Sequence, residues 1–140
     1  MHDPKAVQDE IISSFSLLPE WLDRYQYLID LGRKLPPLAE EEKTEDKLLA
    51  GCQSRVWLLL EGGPEEITIR ANSDAAIVSG LIALLIDVYS GCSARQIVET
   101  EPYFIEEIGL ADHLSPTRAN GLHAMLTAIQ AYATGQLETP

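Results

Sequence analysis

Apolar residues recur at three- and four-residue steps through Val7, Ile11, Ile12, Phe15 and Leu18, the spacing of one helical stripe, and predict a first helix over residues 4–16. Pro19 interrupts it. The pattern resumes through Trp21, Leu22, Tyr25, Leu28 and Ile29, so a second amphipathic helix follows, with Gly32 placed to serve as its left-handed cap. Aromatic residues at this spacing are packing groups first, because each ring removes a large apolar area from water. Pro36-Pro37 forbids further helix, and Glu40-Glu41-Glu42-Lys43-Thr44-Glu45-Asp46 carries too much like charge to be buried. That run reads as an exposed loop, a solvated linker in preference to a docking surface for a basic partner.

The period then falls to two. Ser54, Val56, Leu58 and Leu60 share one face of a strand, and Arg55, Trp57, Leu59 and Glu61 the other, with apolar residues on both. Gly62-Gly63-Pro64 turns the chain into a second strand with Ile67, Ile69 and Ala71 inward and Glu66, Thr68 and Arg70 outward, which predicts an antiparallel hairpin. Two strands alone are marginal, so helices must cover them. Asn72-Ser73-Asp74 offers caps for a helix holding Ile77, Val78, Leu81, Ile82, Leu84, Leu85, Val88 and Tyr89, apolar nearly all round and therefore central. Gly80 inside it costs about 1 kcal/mol relative to Ala, which implies that another backbone, expected to be the sheet's, comes close. Ser93 and Gln96 form a capping box that sets Cys92 to staple against Ile97. Thr100 or Glu101 with Pro102 opens a short helix carrying Tyr103, Phe104, Ile105 and Ile108, and Gly109 ends it. Ser115-Pro116 starts a last helix that presents Ala119, Leu122, Met125, Leu126 and Ile129 to the core. Helix, helix, strand, strand, then helices reads as α+β, in one domain over residues 1–140.

Composition narrows the function classes. A hydrophobic share of 46% with 23% charged residues excludes a disordered chain. Ten Lys and Arg against 22 Asp and Glu, a net charge of −12, repel phosphate backbones and argue against nucleic acid as a ligand. That charge either keeps the domain soluble or steers it to a basic patch on a protein partner. No secretory segment follows Met1-His2-Asp3-Pro4, and the strongly apolar region Ala75 to Ile86 falls short of the roughly 20 residues that span a bilayer. The expected setting is cytoplasmic, with no membrane partner.

Candidate chemistry centres on Cys52. Phosphate-binding loops, nucleophile elbows and paired-histidine metal motifs are missing, and His2, His113, His123, Cys52 and Cys92 lack the close spacings of a zinc site, so no metal is expected. A thiolate needs the least sequence context of any nucleophile, although a free cysteine is also a small hydrophobe at home in a core. Gly51 favours the first role, since it removes a side chain where another macromolecule's backbone must approach the thiol. Arg118 stands in the first turn of the last helix, where the macrodipole disfavours a cation. Either a carboxylate pairs with it, or it faces an anion such as a thiolate or persulfide, with His113 as a weaker neighbour.

Three blocks carry a resemblance: Gly51-Cys52-Gln53-Ser54-x-Val56-Trp57, Ser73-Asp74-Ala75-Ala76-Ile77-Val78-x-Gly80-Leu81, and His113-Leu114-Ser115-Pro116-x-Arg118-x-x-Gly121-Leu122. In this order, from about Pro19 to Ala133, the chain resembles the SufE family of sulfur acceptors. The resemblance implies a SufE/NifU-type α+β fold, a small antiparallel sheet flanked by helices with the acceptor cysteine on a loop. A third strand near Lys47 to Ala50 is then possible. It also implies a function: Cys52 takes persulfide sulfur from a SufS- or CsdA-like cysteine desulfurase, stimulates that enzyme, and passes the sulfur to an iron–sulfur scaffold complex. Pyridoxal phosphate belongs to the desulfurase, so the chain itself needs no cofactor and is a carrier more than an independent enzyme. Cys92 lies outside the family pattern and raises a Cys52–Cys92 relay or regulatory disulfide. The alternatives are a NifU-type scaffold, which needs about three cysteine ligands, and an adaptor that binds a desulfurase without thiol chemistry.

Overall fold

The computed structural model describes residues 2–50 and 54–138. Helix α1 runs Pro4–Ser16 and α2 runs Trp21–Arg33; two 3₁₀ turns, Glu40–Glu42 and Glu45–Lys47, lead to strands β1 (Val56–Gly63) and β2 (Glu66–Ser73). Helices α3 (Ala76–Tyr89), α4 (Ala94–Glu99), α5 (Tyr103–Glu107), α6 (Leu110–His113) and α7 (Pro116–Glu138) complete the chain. The architecture is α+β: one two-stranded antiparallel sheet with helices packed on it. The predicted helix order and the hairpin are both present.

Local chemistry explains most boundaries. Asp3 accepts hydrogen bonds from the Lys5 and Ala6 amides, and Pro4 at the first helical position has no amide to leave unpaired, so α1 starts there. Ser93 and Gln96 form the reciprocal capping box of α4, as the sequence predicts. Gly109 ends α5 in the left-handed region at φ 75°, again as expected, although the short α6 that follows has no clear pattern of its own. The hairpin pairs Val56 with Ser73 through Gly63 with Glu66, so the turn is Pro64-Glu65 and both glycines remain in β1. The turn thus falls later than the glycine pair suggests.

Helix α3 is the centre of the core. Val78, Leu81, Ile82, Leu84, Leu85, Val88 and Tyr89 are all buried along it, packed with Phe15, Leu28, Ile67 and Ile129 from the surrounding elements. Its contact with α2 corrects two expectations. Gly32 is an interior residue of α2 and not a left-handed cap; a Cβ there would stand 2.7 Å from Ser79 Cβ. The backbone that approaches Gly80 belongs to α2 and not to the sheet, because a Cβ on Gly80 would lie 2.2 Å from the Leu28 carbonyl oxygen. The two glycines let the helices cross closely enough for the backbones to touch.

Other expectations shift for the same reason, tertiary partners. The foreseen caps of α3 work elsewhere: Asn72 Oδ1 accepts from the Leu38 amide at 2.7 Å, Asp74 Oδ1 accepts from the Arg55 amide at 3.1 Å, and the N-cap position is Ala75 with no side-chain bond. The third strand near Lys47 to Ala50 is a single bridge between Leu48 and Trp57. The acidic run is more than a linker. Leu38 is buried, Glu42 grips Arg70 through two bonds of 2.7 Å, and Lys43 stands 5.6 Å over the Trp57 ring, strapping the segment across the outer face of the hairpin. Among the described residues no single helix is long and apolar enough to cross a membrane.

Candidate functional site

The site is built around the entry to β1. The Leu49 amide donates to the Val56 carbonyl at 2.9 Å and Leu48 bridges Trp57, so the chain from Ala50 to Arg55 is closed at its base as a six-residue loop. A second pin holds its far limb, where the Arg55 amide donates to Asp74 Oδ1 and the Asp74 amide donates back to the Arg55 carbonyl at 3.3 Å. Cys52 and Gly51 are on this loop by sequence; both, with Gln53, lie outside the described residues. The loop's anchors are what the structure describes.

At the foot of the loop, half-buried Ser54 lines a small hollow with Val56, Val78 and Leu81 on one side and Thr117, Arg118, Leu122 and Met125 of α7 on the other. Strand β1, the start of α3 and the start of α7 therefore converge where the cysteine loop emerges. This settles one question about Arg118. The ion pairs found among the described residues are Arg33–Asp30, Lys43–Glu40, Arg70 with Glu42 and Glu61, and Arg95–Glu99, so no described carboxylate compensates Arg118. Its guanidinium and the positive end of the 23-residue α7 both favour an anion at this place.

His113 is placed differently. Its ring stacks on Trp21 at 3.9 Å and 10°, and Nδ1 lies 3.0 Å from the Gly109 carbonyl. The Tyr25 hydroxyl donates to the His113 carbonyl. These contacts tie α6 to α2, and His113 does not line the hollow that holds Arg118 and Ser54. Of the two supporting residues, the fold brings Arg118 to the loop and gives His113 other partners.

Cys92 is sealed in the core. Its side chain is 0% exposed, Sγ donates to the Val88 carbonyl at 3.5 Å, and burial, with the charge of Asp3 added, pushes the thiol up to about 11. The Cys92 carbonyl accepts from the Ile67 amide at 2.8 Å, next to the hairpin turn, whereas the cysteine loop leaves the opposite end, where Val56 pairs with Ser73. Six residues of strand separate those ends, about 20 Å at 3.3 Å per residue. The expected Cys52–Cys92 relay or disulfide has its other end at Cys52, outside the described residues, and what the structure describes is a Cys92 thiol sealed from solvent.

Sequence reasoning missed the loop's anchors. Asp74 had a cap as its obvious use, and nothing in the local pattern marks Arg55, 19 positions away, as its partner. No three His, Cys, Asp or Glu side chains gather as a metal site among the described residues.

A two-stranded antiparallel sheet flanked by helices, with the entry to β1 and an arginine of the C-terminal helix meeting at one end, defines an α+β protein. The chain belongs to the SufE family, an Fe–S metabolism associated domain, which it matches over residues 9–133. Its role is therefore in iron–sulfur metabolism. An uncharacterized SufE-like protein of Rhizobium meliloti is 42% identical over 134 residues, covering 92% of this chain and 96% of the relative. A second, from Rhizobium etli, is 42% identical over 133 residues, covering 91% and 90%. The solution structure of a hypothetical protein from Thermus thermophilus superposes with a TM-score of 0.76 at 25% identity, covering 99% of this chain and 100% of that one.

Proposed function

We propose that the chain is a sulfur carrier: Cys52 accepts sulfane sulfur from the persulfide of a cysteine desulfurase and passes it to an iron–sulfur scaffold. The observation that carries this reading is the convergence of loop and cation. The loop that bears Cys52 is closed at Leu49–Val56, and Arg118, with no carboxylate partner among the described residues, stands at its foot beside Ser54.

The chemistry balances without an added oxidant. The Cys52 thiolate attacks the outer sulfur of the donor persulfide, a new sulfur–sulfur bond forms on Cys52, and the donor cysteine leaves as a thiolate. Removing that sulfur frees the desulfurase for another turnover, which is how the carrier stimulates it. Arg118 and the N-terminal end of α7 would stabilise the thiolate before transfer and the anionic persulfide after it. The pyridoxal phosphate of the reaction stays with the desulfurase, and the reducing cytoplasm, where thiols stay free, suits the carrier.

Mass spectrometry tests the proposal. Incubation with a cysteine desulfurase, its cofactor and cysteine should add about 32 Da per sulfur on the peptide holding Cys52, and Cys52→Ser should abolish the gain. Stimulation of the desulfurase that survives Cys52→Ser would instead make the chain a binding adaptor. Arg118→Ala should slow sulfur uptake roughly tenfold or more while leaving the thermal midpoint nearly unchanged, the loss of about 1.4 kcal/mol of anion stabilisation.

A further inference from the structure

Away from the cysteine loop, α1 and α2 each pack on α3 but diverge from one another, touching through the edge-on contact of Phe15 with Tyr27 at 5.3 Å between ring centres. Between them opens a groove of about 380 Å³ whose half-buried apolar surface is Leu31, Ala83 and Ile86, with Phe15 and Leu84 buried beneath. That volume is within the range of small-ligand and side-chain pockets, roughly 300–1,000 Å³. Glu10 and Asp87 border it at the last turn of α3. Lys34 and Leu35 border it toward the start of α3, since Leu35 also lines the hollow that contains Ser73 and Ser79.

Asp87 breaks three local rules at once. It is a carboxylate in the last turn of a helix, where the macrodipole is negative. Glu10, a like charge, faces it from α1. Among the described residues no Lys or Arg forms an ion pair with either carboxylate. Desolvation by neighbouring side chains holds the carboxyl of Asp87, an exposed residue, above the ordinary carboxylate range; His2, whose Nε2 lies 2.8 Å from the Val88 carbonyl, offsets part of this, and Glu10 adds a smaller upward push. A cation at the Glu10–Asp87 end opposes the like charge and the helix dipole more fully than His2 does, and half-buried Leu31, Ala83 and Ile86 beside it offer contact to an apolar group.

We infer that this groove is a receptor for a basic–apolar segment of a protein partner, an Arg or Lys seated between Glu10 and Asp87 with a neighbouring apolar side chain on Leu31, Ala83 and Ile86. The partner's backbone runs toward Lys34, which is placed for one of its acidic groups or carbonyls. Charge complementarity fixes this choice of occupant. The groove borders α3 at Ala83 to Asp87 whereas the cysteine-loop hollow borders it at Val78 and Leu81, so a partner seated here leaves the sulfur site open. The inference stands independently of the persulfide chemistry.

The test is an amide NMR titration of the full chain, without desulfurase, using the blocked dipeptides acetyl-Phe-Arg-amide and acetyl-Arg-Phe-amide. Saturable shifts confined to the groove-facing residues of α1, α2 and α3 are expected with at least one dipeptide, weakened about tenfold or more by Asp87→Asn or by replacing Arg with citrulline. Asp87→Asn removes an unfavourable charge without changing shape, so this variant should fold with an unchanged or higher thermal midpoint. The inference is overturned if neither dipeptide gives saturable groove shifts. Equal binding of the citrulline form overturns it by showing apolar adhesion alone. Phenethylamine binding as tightly as the better dipeptide overturns the protein partner in favour of a small amine.

Discussion

A thiol's reactivity is set by what surrounds it, and Cys92 is surrounded by core. Cys92 sits among Val88, Ala94 and Ile97, all buried, where the neutral thiol is far better solvated than its thiolate. With the folded thiol near 11 against an ordinary 9.0, the native state holds its proton more tightly than the unfolded chain does. The stability this confers is complete below pH 9 and is lost as pH rises from 9 to 11, at about 1.4 kcal/mol per unit. Tyr89, whose hydroxyl is raised by burial and donates to the Thr100 carbonyl, acts in the same direction at still higher pH. Chemical denaturation from pH 7 to 11 should show this decline, and Cys92→Ala should flatten its lower part at a cost of about 1 kcal/mol at neutral pH. The same variant should take up sulfur like the unmodified chain.

At the scale of elements, the strap over residues 36–49 anchors the Leu49 end of the cysteine loop to β1. Its anchors are the Glu42–Arg70 fork, the Leu38 amide on Asn72, and the Leu48 and Leu49 links to β1. The hydrogen bonds from Arg70, with that from the Ala39 amide, hold the Glu42 carboxyl below its usual range. A depressed carboxylate contributes fully above its unfolded value of 4.5 and loses that contribution as pH falls through the lower folded value. Hydrogen exchange should therefore show the Leu49 amide, corrected for intrinsic rate, losing protection below pH 4.5. Glu42→Gln should lower that protection at neutral pH and remove its acid dependence, while the core amides of α3 change little. Hydrophobic period located both strands here, but an acidic run viewed alone suggests solvent. Only the hairpin's outer face, with Arg70 and Trp57 on it, gives those charges a partner.

Across the whole molecule, buried polar groups join elements distant in sequence. Gln8 is 0% exposed in the apolar stripe of α1; its side-chain amide donates to the Glu101 carbonyl at 3.1 Å, and its oxygen accepts from the Phe104 amide, also at 3.1 Å. One side chain thus satisfies the entrance to α5 from 96 positions away. Gln8→Ala should cost about 2–3 kcal/mol in denaturant unfolding, since the truncation leaves the buried Phe104 amide and the part-buried Glu101 carbonyl without this partner and opens a cavity. Gln8→Glu keeps the acceptor for Phe104 and loses the donor, so it should destabilise through the Glu101 side in particular.

The sequence by itself determined the order of the main elements, most of the core positions, the capping box at Ser93, and the family, because each rests on period or short motifs that one stretch of chain contains; Leu22, in the apolar stripe of α2 by spacing, is 81% exposed. It also singled out Cys52 and Arg118, the first by its block and the second by a broken helix rule. Tertiary structure decided where the polar groups went: Gly32 and Gly80 to a helix crossing, Asp74 to Arg55, Glu42 to Arg70, Gln8 to Phe104, and Arg118 to the loop's foot. A hydrophobic stripe needs only to face inward, and any apolar neighbour serves. A hydrogen bond or ion pair needs one particular atom at one distance, and that atom is supplied by a distant part of the chain only after the core has formed.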